Sequence, residues 1–165
     1  MITMKKSLLI LLAVFTAFLG LAQTKMPSCQ LKDINGKTVD VSQLDNGGKP
    51  IIVCFWATWC KPCQRELQAI HENYPDWQDE TGVKVVAVSI DQAQDVNKVK
   101  PLVDGSGWEY DVILDTNSDL KRALGINLIP HALVLDGSGN IVYSHTGYVD
   151  GGEEELIEVV RKYSK

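Results

Sequence analysis

From residue 23 onward the chain is divided into short apolar runs separated by polar, glycine-bearing breaks. Residues 23–30 read as an irregular N-terminal arm. Leu31 to Ile34 and Thr38 to Val41 flank Asn35-Gly36, two residues that tolerate positive φ and so predict a hairpin turn. Gln43 to Lys49 is a polar loop. Ile51 to Ala57 is continuously apolar, the pattern of a central strand covered on both faces. Between Cys60 and Gln78, residues Leu67, Ile70, Tyr74 and Trp77 share one helical face, and Pro75 is expected to kink or end that helix. Val83 to Ile90 predicts a second buried strand, rich in β-branched residues.

Asp91 to Val103 predicts a helix reaching Pro101, broken afterwards by Gly105-Ser106-Gly107. Tyr110 to Leu114 reads as a short strand, and Ser118 to Leu124 as a short helix capped by Asn117 or Ser118. Ala132 to Leu135 and Ile141 to Ser144 form a predicted hairpin across residues 136–140. Glu153 to Tyr163 closes the chain as a helix with acids in its first turn and Arg161 and Lys162 in its last, which suits the helix dipole. This alternation of strands and helices, ending in a hairpin and a helix, predicts an α/β domain with a mixed sheet and helices on both faces. Neither an internal repeat nor a second-domain linker interrupts residues 23–165, so one domain is expected.

Residues 1–22 have a different character. Lys5 and Lys6 precede an apolar stretch from Ser7 to Leu19, and Gly20 and Ala22 supply small residues at a cleavage point before Gln23. That is the pattern of a secretory signal peptide. The competing reading is a retained membrane anchor, for which the stretch is short of the ~20 residues a span needs. Removing residues 1–22 deletes two of 16 basic residues and none of 21 acidic ones, leaving 14 against 21 and a formal charge of −7. An acidic chain without a basic cluster argues against nucleic acid and against anionic membrane surfaces as partners. Export, to a periplasm or cell envelope, would place the four cysteines where disulfides persist.

The candidate chemistry lies in Phe55-Trp56-Ala57-Thr58-Trp59-Cys60-Lys61-Pro62-Cys63, at the predicted strand-to-helix junction. Two cysteines separated by two residues form the pattern of a redox dithiol. A cysteine at a helix N-terminus faces unpaired amides and the positive end of the dipole, which favour the nucleophilic thiolate. Cys60 is the expected attacker, with Lys61 adding positive charge beside it; Cys63, one turn on, is placed to resolve a mixed disulfide. Pro62 removes a first-turn donor that would lack a partner. The competing readings are a structural disulfide and half of a zinc site. A closed zinc site usually needs a second ligand pair of similar spacing, which Cys29, Cys54, His71, His131 and His145 do not form. No metal or other cofactor is expected. Gly47-Gly48-Lys49 lacks the spacing of a phosphate loop, and Gly137-x-Gly139 reads as a turn.

The stretch from Phe55 to Cys63 resembles the active-site signature of the thioredoxin fold. With the export address and Leu31-Lys32-Asp33-Ile34-Asn35-Gly36-Lys37, the chain is similar to TlpA/ResA-type periplasmic thiol–disulfide oxidoreductases over roughly residues 27–163. The resemblance implies four or five strands around a central strand with Cys60 at its carboxyl end, an N-terminal hairpin, and an insertion around residues 91–124. It implies a cis peptide at Ile129-Pro130, beside the dithiol, where backbone pairs with a bound thiol substrate. It also implies that Glu66, three residues after Cys63, influences the thiols and their protons; the plain alternative is a solvated glutamate. Cys54 stands where ordinary thioredoxins carry a buried acid, and reads as an inert core residue. His131 either tunes the site or is a surface ring, and Cys29 is free or partnered. Trp59 and Trp56 are read as packing and shielding groups around the site, aromatic surface that also suits a partner peptide.

The expected function is exchange of disulfides with protein partners through Cys60 and Cys63. The resemblance favours a reductant recharged by a membrane electron donor and serving targets such as apocytochrome c. The alternatives are a thiol peroxidase and a non-catalytic thioredoxin-like binding module.

Overall fold

The computed structural model describes residues 24–164; the signal-peptide reading of residues 1–22 lies outside them. Strands β1 (Gln30–Asp33) and β2 (Thr38–Asp40) pair as the expected hairpin, with Gly36 at φ +86° supplying the left-handed turn residue. Strand β3 (Ile51–Trp56) leads into helix α1 (Lys61–Thr81), and β4 (Lys84–Ser89) follows. Helix α2 (Val99–Ser106), strand β5 (Asp111–Leu114) and helix α3 (Asp119–Ala123) make up the next stretch. Strands β6 (His131–Leu135) and β7 (Ile141–Thr146) form the second hairpin, and α4 (Glu153–Tyr163) ends the fold.

The sheet has seven strands in the order β2-β1-β5-β4-β3-β6-β7. Strands β3, β4 and β5 run parallel, while β6 is antiparallel to β3 and β1 is antiparallel to β5. The sheet is therefore wider than the four or five strands implied by the resemblance. The N-terminal hairpin does not stand apart but joins the edge through Lys32 opposite Leu114 and Asp33 opposite Ile113. The stretch expected as an insertion contributes β5 itself. It is tied to α1 by the Trp108 indole N–H donating to Gln68 Oε1 (3.1 Å) and the Tyr110 hydroxyl donating to the Leu67 carbonyl (2.7 Å).

Every residue of β3 is buried, as its continuous apolar run predicted. Helix α1 packs on β3 and beside α4, which lies against β6. Its inward stripe is Cys63, Glu66, Leu67, Ile70, Tyr74 and Trp77.

Two local expectations need correction, and of the two outcomes expected at Pro75 one is ruled out. Pro75 does not end α1, which continues to Thr81. The residue is exposed, so the His71 carbonyl that it leaves without an N–H partner faces the watery side of the helix. Pro101 does not close a helix begun at Asp91; it sits in the first turn of α2, where a missing N–H is harmless. Helix α3 is capped by neither Asn117 nor the Ser118 side chain. Asp115 reaches over Ser118, which has φ +56°, and accepts the N–H groups of Leu120 (3.2 Å) and Lys121 (2.9 Å).

Candidate active site

Cys60 occupies the cap position of α1, just beyond the carboxyl end of β3, with extended backbone (φ −95°, ψ 95°). Its Sγ accepts the Cys63 N–H at 3.3 Å, so the sulfur takes up one of the amide donors that a helix start leaves free. The two cysteines are joined by a disulfide, with Cα atoms 5.3 Å apart. Cys60 retains 6% exposure and Cys63 none. Solvent and partners therefore reach the pair from the Cys60 side.

Large apolar side chains are exposed near that opening, alongside the charged Lys61, Arg65 and Asp150. Trp59 is 62% exposed, and Leu128 and Val149 project into solvent from two other loops. The Ile129–Pro130 peptide is cis. Phe55 pairs with His131 in the β3–β6 register, so Pro130, one step before His131, lies beside the end of β3 from which the dithiol turn emerges. The Gly147 N–H donates to the Pro130 carbonyl (2.8 Å), tying the loop of Val149 to the loop of Leu128.

Beneath the dithiol lies Glu66, one turn along α1 from Cys63 and 3% exposed. Burial, and then the negative charge of Glu153, push its carboxyl up to about 7. Glu153 is itself buried at the start of α4 and accepts the Tyr148 hydroxyl at 2.8 Å. Cys54 is fully buried in β3, and burial together with the charge of Glu66 pushes its thiol well above the ordinary range. A thiol in that state is neither nucleophile nor base at neutral pH. The buried carboxyl one turn from Cys63 thus stands on the helix, while the central strand carries the neutral thiol of Cys54.

His131 turns the other way. Its neighbours in register put it on the Phe55 face of the sheet, opposite to the Cys54 face, and its ring meets Phe55 edge-on at 6.4 Å. Both ring nitrogens are engaged by β7, Nδ1 with Thr146 Oγ1 (2.7 Å) and Nε2 with Ser144 Oγ (3.1 Å). Burial and the nearby His145 lower its pKa, so the ring stays neutral at pH 7. Cys29 carries a free thiol in the N-terminal arm.

The model of the AhpC/TSA family matches residues 22–144. The chain belongs to the AhpC/TSA family. The thiol–disulfide oxidoreductase ResA of Halalkalibacterium halodurans is 29% identical over 128 residues, which cover 78% of this chain and 68% of that protein. A thioredoxin-like protein from Porphyromonas gingivalis, solved in solution, is 59% identical with a TM-score of 0.76, over 84% of this chain and 91% of that one. StoA from Bacillus subtilis is 25% identical with a TM-score of 0.64, over 81% of this chain and 96% of that one. Within the AhpC/TSA family this member is a TlpA/ResA-like thiol–disulfide oxidoreductase with a thioredoxin-like fold.

Of the residues singled out in the sequence, the structure of this AhpC/TSA member gathers Trp59, Cys60, Cys63, Ile129 and Pro130 at the carboxyl end of β3, with Glu66 one turn deeper along α1. It leaves His131 on the other face. Two acids had not been singled out. Glu153 reads in the sequence as one of three acids suiting a helix dipole, and nothing local marks it as the one turned inward. Asp91 follows the apolar strand Val83 to Ile90, and a polar residue just past the carboxyl end of a central strand is a signal that was there to use.

Proposed function

We propose that the protein is exported to the cell envelope and there reduces disulfides in other proteins. The observation that carries this reading is the asymmetry of the pair. Cys60 opens onto the apolar rim of Trp59, Leu128 and Val149, while Cys63 is sealed behind it above Glu66. The dipole and amides at the start of α1 favour the Cys60 thiolate. That thiolate attacks one sulfur of a partner's disulfide, forming a mixed disulfide and releasing the other partner sulfur as thiolate. Cys63 then gives up its proton, with Glu66 as the nearby acceptor, and attacks Cys60 Sγ. The second partner thiolate leaves, and the Cys60–Cys63 disulfide closes. Two electrons have passed from the dithiol to the partner, and a membrane electron donor returns them. Apocytochrome c, unfolded around its cysteine pair, is a substrate that an apolar rim suits.

Export rests on Lys5, Lys6, the apolar stretch from Ser7 to Leu19, and the small residues Gly20 and Ala22. The reducing direction rests on the TlpA/ResA resemblance. The direction is tested by the reduction potential of the pair, and the attacker and the compartment by trapping. In cells, Cys63→Ser is expected to accumulate covalent adducts with envelope proteins, which a thiol reductant releases and which vanish when Cys60 is also replaced. Adducts that survive loss of Cys60, or that contain only cytoplasmic proteins, would contradict the assignment of attacker or compartment.

A further inference from the structure

Strand β4 is followed by a buried carboxylate that takes no part in the exchange chemistry. Ser89 pairs with Trp56 in the parallel β3–β4 register, and the Ile90 N–H extends the ladder to the Trp56 carbonyl (2.9 Å). Two residues beyond that pair, on both strands, Asp91 meets Thr58. Asp91 is 1% exposed and accepts three hydrogen bonds there. The Thr58 N–H donates to Oδ2 at 2.9 Å, the Thr58 hydroxyl donates to Oδ1 at 2.6 Å, and the Ser89 hydroxyl donates to Oδ2 at 2.8 Å. Thr58 is held on its other side as well, because its carbonyl accepts Gln64 Nε2–H at 2.6 Å. The Cys60 N–H closes the same turn onto the Ala57 carbonyl at 3.0 Å. Every polar group of Thr58 is therefore committed, two residues before the attacking sulfur.

A half-buried turn could satisfy one backbone amide with water. A buried carboxylate is a costly alternative unless several donors converge on it, and here two of the three come from one residue of the dithiol turn. We propose that Asp91 is the positioning residue of the attacking cysteine: by gripping Thr58 at both amide and hydroxyl it fixes the Ala57–Cys60 turn, and with it the placement of Cys60 against Cys63. This inference rests on the dithiol reading above. Ring closure between the two cysteines depends on how closely they are held in bonding geometry. A loosened turn therefore weakens the disulfide relative to the dithiol.

The test is equilibration of the full chain in glutathione buffers, scored by alkylation, for the native protein, Asp91→Ala, Asp91→Asn and Thr58→Val. Near-ultraviolet circular dichroism checks that each variant is folded. Asp91→Ala is expected to move the equilibrium about tenfold toward the dithiol, equivalent to ~30 mV for a two-electron couple. In Asp91→Asn the amide oxygen can take the Thr58 N–H and the Ser89 hydroxyl, while the Thr58 hydroxyl oxygen accepts from the amide nitrogen. That variant is expected to stay within about threefold of native, a rescue that charge removal alone would not give. If Asp91→Ala does not fold, Thr58→Val decides: a shift of about threefold or more supports the clamp, and a smaller one overturns it. A folded Asp91→Ala within about threefold of native, or an Asp91→Asn displaced as far as Asp91→Ala, overturns the inference and leaves the dithiol reading intact. A native chain whose cysteines do not equilibrate with glutathione overturns both.

Discussion

Replacing Cys60 by serine is expected to reduce the rate of disulfide exchange to that of the supplied reductant alone, a loss on the order of 10³-fold or more. The hydroxyl fits the same cap position and can accept the Cys63 N–H as the sulfur does, so the fold should be retained. What disappears is the thiolate at the solvent-facing end of α1, and Cys63 cannot replace it because it is fully buried. Cys54 and Cys29 offer no substitute. Burial pushes both thiols up, most of all that of Cys54, which also faces the charge of Glu66. The check is turnover of a disulfide-bonded protein with excess reductant. Turnover by Cys60→Ser close to native would mean that the chemistry lies elsewhere in the chain.

The second large effect concerns Glu66 and has a defined sign. Its carboxyl lies at about 7 in the fold against 4.5 ordinarily. Between those values the folded chain binds more protons than the unfolded one, so this residue lowers stability as pH rises through the window. Above pH 7 the buried charge costs roughly 3 kcal/mol, and below pH 4.5 it costs nothing. Glu66→Gln removes the charge and keeps the shape. Urea unfolding of the disulfide form should show the variant more stable than native at pH 8, by up to roughly 3 kcal/mol, and no more stable at pH 4.5. A difference that is the same at both pH values would place the Glu66 carboxyl outside the buried environment described here. In the reduced protein the proposed acceptor role of Glu66 predicts that the same variant slows release of the partner near neutral pH while attack by Cys60 continues.

Much of this fold can be read along the chain because its signals are local. The unbroken apolar run at Ile51 marks a strand covered on both faces, Asn35-Gly36 marks a turn, and the stripe from Leu67 to Trp77 marks the inward face of α1. The dithiol is legible for the same reason, since attacker, resolver and helix start lie within four consecutive residues. The rest is decided by distant partners. Pro75 and Pro101 have the same ring chemistry, yet one is carried in mid-helix on the exposed side and the other opens a helix. The cap of α3 comes from Asp115 rather than from the polar residues adjoining it. Asp91 acquires its role only through the pairing of Ser89 with Trp56, which sequence order alone does not reveal. The inward turn of Glu153 depends likewise on how α4 packs beside α1.

With Cys54 on the strand, the acid under the dithiol is supplied by α1, and its proton affinity is set by burial and by Glu153 across the helix interface. Under the proposed role of Glu66, helix packing enters the redox chemistry. A reductant needs a disulfide that is stable relative to the dithiol, and both the Thr58 clamp and the sealed position of Cys63 act in that direction.

The reduction potential of the Cys60–Cys63 couple, measured by equilibrating the native chain in redox buffers, tests the account most directly. A value more negative than about −200 mV is predicted, in the range of thioredoxin-like reductants; a value more positive than that, approaching the ~−120 mV of a strong oxidant, would contradict it.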